Sequence, residues 1–189
     1  MQTIILELCN ENPPLGEERH FPEDDFIDLV TGAQYFLHRH HSAEVGETTH
    51  IHIFKRWSSH DVRSLGLESV TTHLAALALD STGQPDYWFV VNQWVVGDYW
   101  LPAENTIELF RGWSFSEAEC QKNSKYGFWH EWVAKQVNKS LETDIFSLLN
   151  ERDRILDQLV DLRPGENVLE DRSIEVICCS RVNPYRAVP

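Results

Sequence analysis

The stretch from Gln34 to Phe54, QYFLHRHHSAEVGETTHIHIF, holds five of the chain's nine histidines. They fall as two His-x-His pairs, His38/His40 and His50/His52, with His41 beside the first. Side chains of a strand alternate between faces, so residues i and i+2 share one. If each segment is a strand, each pair puts two imidazoles on one face. The polar SAEVGET between them, with its single glycine, reads as a hairpin loop. We expect His40 opposite His50 and His38 opposite His52, on a face shared with Phe36 and Phe54. Directly opposed Cβ atoms lie roughly 4.5–5.5 Å apart, so four imidazoles would converge. A register slip of one residue would turn the pairs to opposite faces.

Imidazole suits Zn²⁺, Fe²⁺, Cu²⁺ and Ni²⁺. A His-x-His on one strand with a further ligand from another is a way to build a metal site with an open position. The ligands expected are His38, His40, His50 and His52, and the metal Zn²⁺ or Fe²⁺. A carboxylate in place of one imidazole gives the two-His-one-carboxylate set of Fe²⁺ oxygenases. Glu47, Asp98 and Glu104 are the candidates, and no spacing singles one out. His73 is a further ligand if its strand neighbours the hairpin, and a satisfied core histidine otherwise. His130 sits between Trp129 and Trp132 as a packing residue, while His20 and His60 read as surface residues.

Three other readings of the histidines stay open. In a non-catalytic interaction or regulatory protein they are structural. As a pH switch, clustered imidazoles charge and repel below roughly pH 6.5. His50-Ile51-His52-Ile53-Phe54 also resembles the start of the histidine-triad phosphohydrolase motif. Phe54 stands where that motif has its third histidine, and no phosphate-binding glycine helix accompanies it.

Elsewhere, strands come first and helices later. Hydrophobic TIILEL (3–8) reads as a strand, residues 10–25 as an acidic loop, and DLVTG (28–32) as a turn. SVTTHLAALALD (69–80) and DYWFVVNQWVV (86–96) form a second hairpin around STGQP, and residues 57–69 a polar loop. From Ala103 the apolar period becomes helical. Helices are expected over 103–112, over 124–138 with Tyr126, Trp129, Val133 and Val137 inward, and over 140–162. The last has a buried stripe of Leu141, Ile145, Leu148, Leu149, Leu156 and Leu159, and a wet face of Glu151, Arg152, Asp153, Arg154 and Asp157. SIEVICCS (173–180) is a final strand. The order predicts one α+β domain: an antiparallel sheet of five or six strands, three helices on one face, the last strand beside an earlier one.

Sixteen Lys and Arg against thirty Asp and Glu give a net charge of −14. Such a chain repels a phosphate backbone and an anionic membrane surface. We expect no nucleic-acid or membrane partner, a cytoplasmic protein, and a homodimer through exposed sheet edges. Whether the partner is a small molecule or a protein is open. The four cysteines have no C-x-x-C spacing and read as reduced thiols. No dinucleotide fingerprint, Walker loop, nucleophile elbow or His-Glu-x-x-His is present. The aromatic residues read as core before they read as an organic pocket.

Taken together, TGAQYFLHRH, THIHIF, THLAALALDSTGQPDYWFVVNQWVVGDYW, NERDRI and LEDRSIEV resemble an uncharacterised family of small bacterial proteins with a domain of unknown function. The resemblance covers residues 20 to 178. It implies no activity, and it places His38, His40, His50 and His52 in the family's characteristic segment.

Overall fold

Among the described residues six antiparallel strands form one sheet whose spatial order follows the chain order. The computed structural model describes residues 20–42, 46–58, 70–122 and 124–182. The strands are β1 (Phe21–Ile27), β2 (Ala33–Ser42), β3 (Gly46–Arg56), β4 (Thr71–Leu79), β5 (Pro85–Val91) and β6 (Val176–Arg181). Between β5 and β6 come α1 (Gln93–Val96), α2 (Ala103–Phe110), α3 (Glu117–Lys122), α4 (Ser124–Ser140) and α5 (Phe146–Leu162). A π-helical turn, Leu141–Ile145, joins α4 to α5. The α+β class, the antiparallel sheet and the returning last strand match expectation. The expected strand 3–8 and most of the expected loop 57–69 lie outside the described residues.

Each strand divides its side chains between two faces. Tyr35, Leu37, Ile51, Ile53, Leu74, Leu77, Trp88 and Val90 form one cluster with Ile107, Phe110, Trp113, Trp129, Val133, Val137, Ile145 and Leu149 of the helical layer. That is the main core. On the opposite face Ala76, Ala78, Phe89 and Val91 pack with Tyr87 and with Val95 and Val96 of α1.

The β1–β2 connection is fixed by Asp28, whose carboxylate accepts from Val30 N–H at 2.8 Å, from the Thr31 hydroxyl at 3.1 Å and from Ser116 N–H. Gly32 ends this turn at φ +76°, and a Cβ there would lie 2.5 Å from the Arg56 carbonyl oxygen. Arg56 N–H donates to Gly32 O at 2.7 Å. Only glycine fits this left-handed, close-packed position, and it clamps the open end of the β2–β3 pair. At the other hairpin, Asp80 Oδ1 accepts from Thr82 and Gln84 N–H, at 2.8 and 2.9 Å.

Several expectations need correction. Residues 21–27, expected within or beside a loop, form β1. Among the described residues β1 is the edge strand of the sheet, a position that tolerates the missing N–H of Pro22. The strand expected over 86–96 ends at Val91; Asn92 then caps α1, its side chain accepting from Gln93 N–H. Buried Asn92 also donates to Val168 O at 2.9 Å, which no periodic pattern reveals. Short α3 was not expected, and α4 runs on to Ser140. Arg152, assigned to the wet face, is 2% exposed. Its guanidinium lies 4.2 Å over the Trp100 ring, donates to Leu101 O at 2.8 Å and pairs with Asp153. Asp153 in turn accepts from Ala103 N–H at 2.7 Å, in the first turn of α2. Leu159 is only half-buried.

Candidate metal centre

The β2–β3 ladder pairs His38 with His50, Phe36 with His52, Gln34 with Phe54 and His40 with Thr48. The expected rungs, His40–His50 and His38–His52, are therefore displaced by two residues. The cause is the turn: the ladder runs on to Ser42–Gly46, so residues 43–45 replace the expected seven-residue loop. A shift of two preserves the faces. His38, His50, His52, Phe36 and Phe54 still share one side, as their ring contacts record.

His38, His50 and His52 each place a ring nitrogen within 4.8 Å of the others. Their ring centroids are separated by 5.4 Å (His38–His50), 4.9 Å (His50–His52) and 6.4 Å (His38–His52). Zn–N bonds of ~2.0–2.1 Å in a tetrahedral site would put nitrogens ~3.4 Å and centroids ~5.2 Å apart. Two of the three separations already match. The third closes by about 1 Å, within reach of small side-chain rotations. His50 and His52 are buried and His38 is half-buried. The arrangement can hold a divalent transition metal.

Rings surround the three imidazoles. Phe36 stacks against His52 at 5.0 Å, and Phe89 meets His50 edge-on at 5.3 Å. On β4, Ala78 pairs with His50 and Ala76 with His52. Their small side chains crowd the imidazoles little, which gives Ala76 and Ala78 of THLAALAL a role other than helix propensity. Burial, and then the neighbouring imidazoles of His73, His50, His38 and His20, hold His52 well below its ordinary pKa of 6.5. The ring is thus neutral, the form that ligates metal.

His73 reaches this face through an irregularity. Ala76 pairs with His52 and Ala75 with Ile53, but Phe54 pairs with His73, so Leu74 is an extra residue. Such a bulge re-aims the side chains that follow it. Leu74 joins the main core, and His73 turns to the histidines. His52 Nδ1 and His73 Nε2 lie 3.1 Å apart. Burial, and then the Arg152 charge, lower the His73 pKa to about 3.

His20, expected at the surface, is exposed but belongs to the cluster's rim. It stacks on Phe36 at 3.7 Å and meets His38 edge-on at 5.6 Å. Its Nδ1 lies 3.3 Å from Asp25 Oδ1. Sequence reasoning placed His20 in a loop because β1 was not recognised. His130 is a packing residue as expected: it stacks on Phe115 at 4.2 Å and hydrogen-bonds the Tyr35 hydroxyl at 3.1 Å. The side chains of His40, His41 and Glu47, and all of His60, lie outside the described residues.

Among the described residues no carboxylate joins the three imidazoles. Asp98 accepts from His73 backbone N–H at 2.8 Å, where β4 extends beyond its pairing with β5. Burial raises the Asp98 carboxyl to about 6. Glu104 is exposed in the first turn of α2. Cys120, Cys178 and Cys179 are free thiols; Cys178 faces α5, its Sγ 3.5 Å from Leu148 O. No described helix is long and apolar enough to cross a membrane.

An antiparallel sheet with the long helices on one face, and short α1 beside the imidazole cluster on the other, makes this an α+β protein. The chain belongs to the family described as a domain of unknown function, DUF6969, whose model matches residues 1–182. No curated protein and no solved structure matches it.

Proposed function

We propose that this protein binds a divalent transition metal through His38, His50 and His52, with Zn²⁺ ahead of Fe²⁺. The observation that carries the reading is the convergence of three ring nitrogens within 4.8 Å on one sheet face. Zinc is favoured because three imidazoles with one position open are a zinc ligand set, whereas a facial iron site wants a carboxylate. His40, two residues along β2, remains a candidate fourth donor. An ion held with an open position acts as a Lewis acid or activates water, which is the chemistry a metal-dependent hydrolase or oxygenase would draw on.

The test is elemental analysis of protein purified without a His-tag, beside a His50→Ala/His52→Ala variant. We expect near-stoichiometric zinc in the wild type and its loss in the variant. Substoichiometric metal that the variant leaves unchanged sinks the reading. In that case the second reading stands, that of a non-catalytic interaction protein with structural histidines. The stacking of His52 on Phe36 favours it.

A further inference from the structure

We propose that His73 is a positioning residue of this metal site: it accepts the Nδ1 proton of His52 and so leaves His52 Nε2 bare for the ion. The role rests on the metal reading above. Two imidazole nitrogens 3.1 Å apart share one proton. If His73 donated it, a neutral His52 would carry its own proton on Nε2 and could not ligate through either nitrogen. If His52 donates, Nε2 is the lone-pair nitrogen.

The ring positions are the same in both arrangements, and only the second leaves a lone pair on the nitrogen turned away from His73. His50 and His73 flank His52 along the sheet, with ring centroids 4.9 and 5.1 Å from it. The two nitrogens of one imidazole lie on different edges of the ring. A ring whose Nδ1 is turned to His73 carries Nε2 away from His73, and the His50 ring flanks His52 on its other side. Metal-bound histidines generally donate their other N–H to a fixed acceptor, which sets tautomer and ring orientation.

The fold spends structure on this contact. The extra residue Leu74 is what turns His73 to the histidine side. Asp98 Oδ2 fixes the His73 backbone N–H at 2.8 Å, and the Phe54 ring lies 4.9 Å from the His73 ring. A buried imidazole followed along its strand only by alanine and leucine is placed, not merely accommodated.

The experiment has two arms. Long-range ¹H–¹⁵N NMR on the metal-free wild type reads the tautomer of His52 directly, and we expect Nδ1–H. In parallel, Zn²⁺ affinity is measured by chelator competition for the wild type, His73→Phe and His73→Gln. We expect about a 10–100-fold loss in His73→Phe, the usual range for outer-shell partners. His73→Gln should regain most of it, because its amide oxygen sits near the place of Nε2 and can accept the same proton. An Nε2–H tautomer at His52, wild-type affinity in His73→Phe, or equal losses in both variants overturns the role. Zinc uptake with the wrong tautomer overturns this role alone; no uptake by the wild type overturns the metal reading and this role with it.

Discussion

The two faces of the sheet are built by the same strands and filled by different rules. Toward the helices, Ile51, Ile53, Leu77 and Trp88 meet Phe110, Trp113 and Val133 in an apolar core. Toward the other side, Phe36, His38, His50, His52, Phe54 and His73 form a layer of rings in which polar and apolar edges alternate. The helix-covered face obtains its stability from many interchangeable contacts. The histidine face obtains chemistry from a few positions, each dependent on a rung or a bulge. One face tolerates substitution and resists holes; the other tolerates little movement and contributes less to holding the chain together.

Breaking the first face has the largest expected effect. Trp113 is fully buried, and its indole N–H donates to Phe54 O at 2.8 Å, tying the helical layer to β3. Trp113→Ala should cost about 3–5 kcal/mol in urea unfolding. While the variant stays folded, its metal stoichiometry should equal that of the wild type.

Acid breaks the second face. Folded His52 and His73 stay neutral well below 6.5, while the unfolded chain protonates near that value. Their contribution is therefore complete above pH 6.5 and is lost as pH falls toward the folded values. The loss is at most about 2.7 kcal/mol per pH unit for two protons. Unfolding at pH 7 and pH 5 with EDTA present measures it, and His52→Gln should flatten the slope. An unchanged slope in that variant counts against a neutral, buried His52.

Asp98 sharpens the comparison with the smallest and oppositely signed effect. Its folded pKa, raised to about 6, means that its carboxylate costs stability at neutral pH and ceases to do so as pH falls toward the unfolded value. Asp98→Asn keeps an acceptor for His73 N–H and removes the charge. It should raise stability at pH 8 by about 1–2 kcal/mol and leave it unchanged near pH 4. Acid loss between pH 6 and 4 should become steeper, because the compensating proton uptake is gone.

Much of this was legible in the residues because it follows from period. The shift from strand-like to helical spacing at Ala103 gave the fold class, and His-x-His gave the shared face. What escaped was whatever depends on one residue rather than a repeat. Pro22 and the acidic residues around it hid β1, and with it the place of His20. The turn length set the β2–β3 register, and SAEVGET contains nothing that distinguishes a three-residue from a seven-residue connection. Arg152 occurs among charged neighbours on a helix and is buried only because Trp100, Leu101 and Asp153 converge on it. Position 73 belongs to the helix side by simple alternation, so only the bulge at Leu74 reveals His73 as a member of the site.

The register of the β2–β3 hairpin carries one more consequence. A histidine repeated at two-residue spacing on both strands behaves like a redundant code. Sliding β2 by two residues along β3 exchanges the single rung His38–His50 for two, His38–His52 and His40–His50. A two-residue step toward a longer turn therefore still brings histidine opposite histidine, whereas a one-residue step in either direction erases the message. The hairpin is protected against one class of copying error at its turn, and that protection lies in the spacing of the words rather than in the strength of any contact.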